Sequence, residues 1–176
     1  LRGIGVVFGQ KTSLWWDVPV IDSLNILKQM YQVEDKRFKK NLELFTDLLA
    51  LGPFLNQPVR QLSLGQRVRA DLAAALMHDP KTLFLDEPTI GVDVVAKERL
   101  REFIAKINKE RGVTVLLTTH DMIDMEKLVR RVMVINSGRI IYDGNINGLR
   151  ERYGRQRRME LRFESDLPIV SLPEVA

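Results

Sequence analysis

Cysteine is absent from the 176 residues. Its absence excludes a disulfide framework, a thiol nucleophile and any cysteine metal site, and it fits a reducing compartment. Long apolar runs are missing too: the longest uninterrupted stretches reach about six residues, far short of the roughly 20 that cross a bilayer. The first residues also lack the charged-then-apolar pattern of a secretory leader. The expectation is a chain that neither spans a membrane nor is exported. Aromatic residues make up only 7%, and the two tryptophans, Trp15 and Trp16, are adjacent. The remainder, with 45% hydrophobic and 28% charged residues, sits near globular averages and rules out low complexity and disorder. The length suits about one domain with its own core.

The formal net charge of +4 is unevenly placed. Residues 150–162 hold six arginines against two glutamates, whereas 163–176 hold three acids and no base. Basic runs mark nucleic acid or anionic lipid in some proteins. Here Tyr153 is the single aromatic residue in the run, which reads as a solvated face, and no nucleic-acid partner is expected.

Periodicity divides the chain. The β-branched run Gly3 to Phe8 predicts a strand that starts almost at the first residue, followed by a loop over 9–19. Asp22 can cap a helix with Leu24, Leu27, Met30 and Tyr31 at helical spacing; Asp35 can cap another with Phe38, Leu42, Phe45 and Leu49, stopped by Gly52-Pro53. This pair over 21–60, with a helix at 64–78, makes a helical insert of about 21–78. Strand and helix then alternate: Leu83 to Leu85, a helix over 94–111 stopped by Gly112, and Val113 to Thr118. Strands apolar on both faces, joined by helices of this length, predict a parallel α/β sheet covered on both sides. Val132 to Ile135, Asn136-Ser137-Gly138 and Ile140 to Tyr142 predict a closing hairpin.

Ligands of parallel α/β sheets bind beyond the carboxyl ends of the strands. Two strands here end in chemistry. Asp86 and Glu87 follow Leu85, one suited to a hard cation and its neighbour to accepting a proton from water; an isolated pair of this kind is otherwise a helix cap and a surface acid. Thr119-His120-Asp121 follows the other strand, where His120 either meets a phosphate or is a loop histidine beside a capping Asp121. His78, at a helix end before Asp79-Pro80, carries no such signal. Ser63 with Gln66 forms a capping box, and Gly65 leaves backbone N–H groups open to an anion.

The order of these pieces is far more specific than any one of them. LSLGQ at 62–66, TLFLDEP at 82–88, GVD at 91–93, TTH at 118–120 and INSGRIIYDG at 135–144 together resemble the nucleotide-binding domain of ABC ATPases, over residues 3 to about 150. The resemblance implies a P-loop NTPase-like parallel sheet with an inserted helical subdomain over 1–150, and a basic segment and tail over 151–176. It implies that Ser63, Leu64, Gly65 and Gln66 form the signature loop that meets ATP. It further implies that Asp86 is the Walker B metal ligand, Glu87 the catalytic glutamate, Asp93 the D-loop aspartate and His120 the switch histidine. Gln10 matches the loop glutamine that senses Mg2+. ATP and Mg2+ are the implied cofactors.

The sequence departs from the family pattern in places. Leu64 replaces a common glycine, Gly9 intervenes between Phe8 and Gln10, and Val92 stands where leucine is usual. No G-x-x-x-x-G-K-[ST] phosphate loop occurs; Gly5 to Thr12 approaches it but has Gln10 in place of the second glycine and no helix directly after it. The expectation is the last two thirds of an ABC ATPase domain, inactive alone. The resemblance implies a head-to-tail partner domain and a membrane permease at the cytoplasmic face of the cell membrane. The LSLGQ signature and the GQ loop look most similar to exporters of drugs, lipids or polysaccharides. Trp15 and Trp16 either anchor the permease or pack in the core. A soluble ABC ATPase of DNA repair or translation, or a non-catalytic fragment, is the alternative.

Overall fold

The computed structural model describes residues 3–9 and 11–154. Gln10 and the arginines from Arg155 to Arg162 therefore lie outside the described residues. The chain groups into two compact units, Leu1–Val129 and Arg130–Ala176.

The first unit is built on three parallel strands, β1 (Ile4–Phe8), β2 (Thr82–Asp86) and β3 (Thr114–Thr118), in the order β1-β2-β3. Val6, Phe84 and Leu116 stand in register across them, as do Phe8, Asp86 and Thr118 at the carboxyl ends. Between β1 and β2 come α1 (Val20–Tyr31), α2 (Asp35–Leu48), two short 3-10 turns (Gly52–Phe54 and Val59–Gln61) and α3 (Leu64–Leu76). Helix α4 (Val94–Arg111) joins β2 to β3, and α5 (Met122–Leu128) follows β3. Helix α3 packs on β1, with α1 and α4 against α3. Leu72, Leu76, Leu83, Leu85, Leu100 and Phe103 are buried together in this core; each such side chain contributes roughly 1.5–3 kcal/mol by leaving water.

Several local expectations are corrected. Helix α1 starts at Val20 after Pro19, so Asp22 sits inside its first turn and complements the helix dipole instead of capping it. Asp35 is the first residue of α2, and its carboxylate pairs with Lys28. That helix ends at Leu48, before the Gly52-Pro53 stop, where Ala50 turns to φ +46°. The sheet is covered on one face only among the described residues. On the other face Ile4, Val6, Phe8, Phe84 and Leu116 are exposed.

The second unit opens with a hairpin of β4 (Val132–Asn136) and β5 (Arg139–Gly144). Ser137 and Gly138 both take positive φ, 48° and 74°, the pairing that a two-residue turn needs to match the strand twist. Helix α6 (Ile146–Tyr153), capped by Asn145, was not anticipated; its apolar spacing is too sparse to announce it.

Candidate functional site

The carboxyl ends of the three strands are tied together by backbone. Gly9 N–H donates to Asp86 O at 2.8 Å, and Glu87 N–H donates to Thr118 O at 3.0 Å. Gly9 is required for the first of these contacts: a Cβ there would lie 2.2 Å from Glu87 O and 3.1 Å from Asp86 O. The Thr118 hydroxyl donates to Asp86 Oδ1 at 2.5 Å, which leaves Asp86 Oδ2 open to solvent at an exposed position. That carboxylate fits a hard cation that keeps most of its water, as Mg2+ does with one or two protein oxygens.

At Glu87 the chain turns into the left-handed region, φ +49°, which a non-glycine residue adopts only where its surroundings enforce it. The turn separates the two acids. Glu87 Oε1 meets His120 Nδ1 at 2.8 Å, and this hydrogen bond, with the Glu87 charge, holds the imidazole above its usual pKa. The His120 side chain is 73% exposed, against 32% for Glu87, and its Nδ1 is taken up by Glu87.

A second group forms at the start of α3. Ser63 Oγ accepts from Gln66 N–H at 3.2 Å, and Ser63 N–H donates to Gln66 Oε1 at 2.8 Å, the reciprocal capping box read from the sequence. The next N–H groups, of Leu64 and of buried Gly65, lie in the first turn, where the helix supplies no acceptor and its dipole is positive. Gly65 rests on the following loop: a Cβ there would meet Val92 and Ala96 at 3.4 Å and Asp93 Oδ2 at 3.6 Å. Asp93 itself caps α4, its Oδ1 accepting from Ala96 N–H at 2.9 Å.

The structure therefore brings Asp86, Glu87 and His120 to one strand-end cluster, and Ser63, Leu64, Gly65 and Gln66 to another beside Asp93. No hydrogen bond or ion pair joins the two among the described residues. The near-match at Lys11-Thr12 lacks phosphate-loop geometry: the Thr12 hydroxyl and both the N–H and hydroxyl of Ser13 donate to buried Asp71 at 2.9–3.0 Å, and the next helix waits until Val20. His78 is structural, stacked on Tyr31 with Nε2 3.1 Å from Ile4 O, and burial lowers its pKa. Trp15 and Trp16 are exposed, with the Arg67 guanidinium 4.7 Å over Trp16. Gly9 and Thr118 were missed; the strand register that aligns Thr118 with Asp86 is the signal for one of them.

In sequence and fold the chain is similar to known proteins. Residues 53–123 fit the family model described as "AAA domain, putative AbiEii toxin, Type IV TA system". The chain is 32% identical over 160 residues to the ABC transporter ATP-binding protein NatA of Bacillus subtilis, covering 91% of this chain and 63% of that protein. Its fold superposes on cbiO1 of Clostridium perfringens, part of the ABC transporter complex cbiONQ, with TM-score 0.71 and 25% identity over 88% of this chain and 60% of that one. It also matches a dimeric ATP-binding cassette in a post-hydrolysis state bound to ADP and Pi, with TM-score 0.71 and 26% identity over 82% of this chain and 64% of that one.

The class is thus an ABC-type ATPase domain, a parallel α/β sheet with helices. The chain belongs to the ABC transporter ATP-binding proteins and spans 63% of the length of its NatA relative.

Proposed function

We propose that this chain is the signature-bearing, water-activating part of an ATP-hydrolysing ABC transporter subunit. The observation that carries the reading is the strand-end arrangement, in which Glu87 is turned by a positive φ onto His120 at 2.8 Å while adjacent Asp86 keeps an oxygen free. Phosphoryl transfer asks little covalent chemistry of a protein; it needs a positioned water and neutralised charge. Glu87 holds the attacking water and takes its proton. His120, held in place by Glu87, offers Nε2 to the γ-phosphate. Asp86, with Gln10, would hold Mg2+, which supplies charge neutralisation on the phosphates when bound. Ser63 and the open N–H groups of α3 face the γ-phosphate of a second cassette in a head-to-tail dimer, with Asp93 beside them. The phosphate loop comes from outside these residues.

The subunit serves an exporter of drugs, lipids or polysaccharides, a reading supported by likeness of the LSLGQ signature and the GQ loop to such ATPases. Among the described residues no helix is long and apolar enough to cross a membrane. By the same likeness, force passes to a separate permease through the region of Gln10, Trp15 and Trp16 at the cytoplasmic face. Fractionation tests this: the intact subunit should hydrolyse Mg-ATP and leave the membrane fraction when its permease is deleted. A subunit soluble in both strains that co-purifies with ribosomes or DNA would overturn the transporter reading in favour of a soluble ABC ATPase.

A further inference from the structure

Asp124 is wholly buried, at 0% exposure, on α5 four residues after His120. The site described above makes no use of it. Its carboxylate is nevertheless shared among three elements. Oδ1 accepts from Arg101 Nε of α4 at 2.6 Å, and Oδ2 accepts from the Thr89 hydroxyl at 2.5 Å and, at the longer distance of 3.5 Å, from that of Thr119. Thr89 lies two residues after Glu87, and Thr119 immediately precedes His120. Asp124 thus holds, from inside the protein, the Thr89 side chain beside Glu87 by a short hydrogen bond and that of Thr119 beside His120 by a longer contact. Arg101 is fixed in turn by Glu98 at 3.1 Å and lies 3.8 Å from Asp121, which pairs with Lys97 at 3.1 Å. A buried ion pair is weak as a source of stability, because desolvation offsets most of its attraction and apolar residues of like volume serve as well. Short charge-assisted hydrogen bonds do fix geometry.

We propose that Asp124 is a positioning residue that sets the separation and orientation of Glu87 and His120 by clamping Thr89 and Thr119 to Arg101. The proposal rests on the ATPase reading given above. The clamp touches neither Asp86 nor the Ser63 to Gln66 turn, so its loss acts on turnover and spares nucleotide affinity.

The test is steady-state ATP hydrolysis by the intact subunit carrying Asp124→Asn. The expected result is a fall in kcat on the order of tenfold or more with KM for ATP within about twofold. Asp124→Glu, which retains the charge, should recover part of the rate, and Thr89→Val, which deletes one grip, should fall between. Where Asp124→Asn does not fold, the double variant Arg101→Met/Asp124→Leu removes both charges together; it should fold and remain slow. A folded variant with wild-type kcat overturns the proposal. So does a rise in KM that matches the fall in kcat, or failure of the double variant to fold. A wild-type subunit without ATP turnover fails the ATPase reading instead, and the clamp is then judged by the His120 imidazole 15N shifts in the 176-residue chain. Loss of the Glu87–His120 hydrogen bond in Asp124→Asn upholds the clamp; its persistence overturns it.

Discussion

Replacing Gly9 with alanine places a methyl group 2.2 Å from the Glu87 carbonyl oxygen, 2.9 Å from its carbon and 3.1 Å from Asp86 O. All three are backbone atoms, so no flexible side chain can move aside. Relief needs a displacement of about 1 Å before ordinary contact is restored. The displacement strains the Gly9 N–H to Asp86 O bond at the same point. Losing one such bond costs about 0.5–1.5 kcal/mol, and overpacking costs about 1–3 kcal/mol, so Gly9→Ala should destabilise the chain by roughly 2–4 kcal/mol. Gly52, with nothing within 4 Å of its missing Cβ, is the control; Gly52→Ala should change stability by less than about 0.5 kcal/mol. Urea unfolding followed by tryptophan fluorescence reads both. In the intact subunit Gly9→Ala should also slow ATP turnover, because Glu87 moves with its carbonyl. A Gly9→Ala chain within 0.5 kcal/mol of wild type at an unchanged m-value would refute the close approach of β1 to Glu87.

Three further outcomes follow. The two histidines should titrate on opposite sides of the ordinary value near 6.5, His120 above it through its hydrogen bond to Glu87 and His78 below it through burial. The stabilisation from protonated His120 is therefore full below the ordinary value and lost as pH rises through the folded one; NMR titration showing His120 at or below His78 would contradict this. At Asp71 burial raises the carboxyl pKa against the hydrogen bonds from Ser13 and Thr12, so its charge costs stability above the folded value. Asp71→Asn, which keeps the acceptor, should stay within about 1 kcal/mol, whereas Asp71→Ala leaves buried donors unpaired and should cost about 1–3 kcal/mol; equal losses in thermal melts would undo that account. The 176-residue chain alone, lacking a phosphate loop, should bind Mg-ATP weakly or not at all, and a micromolar dissociation constant by calorimetry would direct attention back to Lys11-Thr12.

Local signals served the fold best where both ends of an element were marked. Helix α4 runs from Val94 to Arg111 as read, because Asp93 caps it, Gly112 closes it at φ +64°, and Leu100, Phe103, Ile104 and Ile107 share its buried face. Asp22 and Asp35 misled as caps because a carboxylate favours the first helical turn as well as the cap, and the Pro19 and Glu34 backbones had already opened each helix. The open sheet face was hidden for a different reason: Val6, Phe84 and Leu116 are as apolar as their buried neighbours, and composition does not say which side is covered. At the candidate site the order of the motifs led to Asp86, Glu87 and His120 and to the Ser63–Gln66 box. The Asp124 clamp was not legible, since its bonds to Arg101 and Thr89 span 23 and 35 residues and follow no period. Glu87's positive φ occurs where backbone bonds tie the ends of the three strands together, an arrangement that no local pattern encodes.

The central claim is that Glu87 takes the proton of the attacking water. Glu87→Gln in the intact subunit tests it most directly, because glutamine keeps the shape and loses the base. ATP binding should be retained, hydrolysis should slow by on the order of a hundredfold or more, and an ATP-bound dimer should accumulate. Near-wild-type turnover with a normal Mg2+ requirement would contradict it.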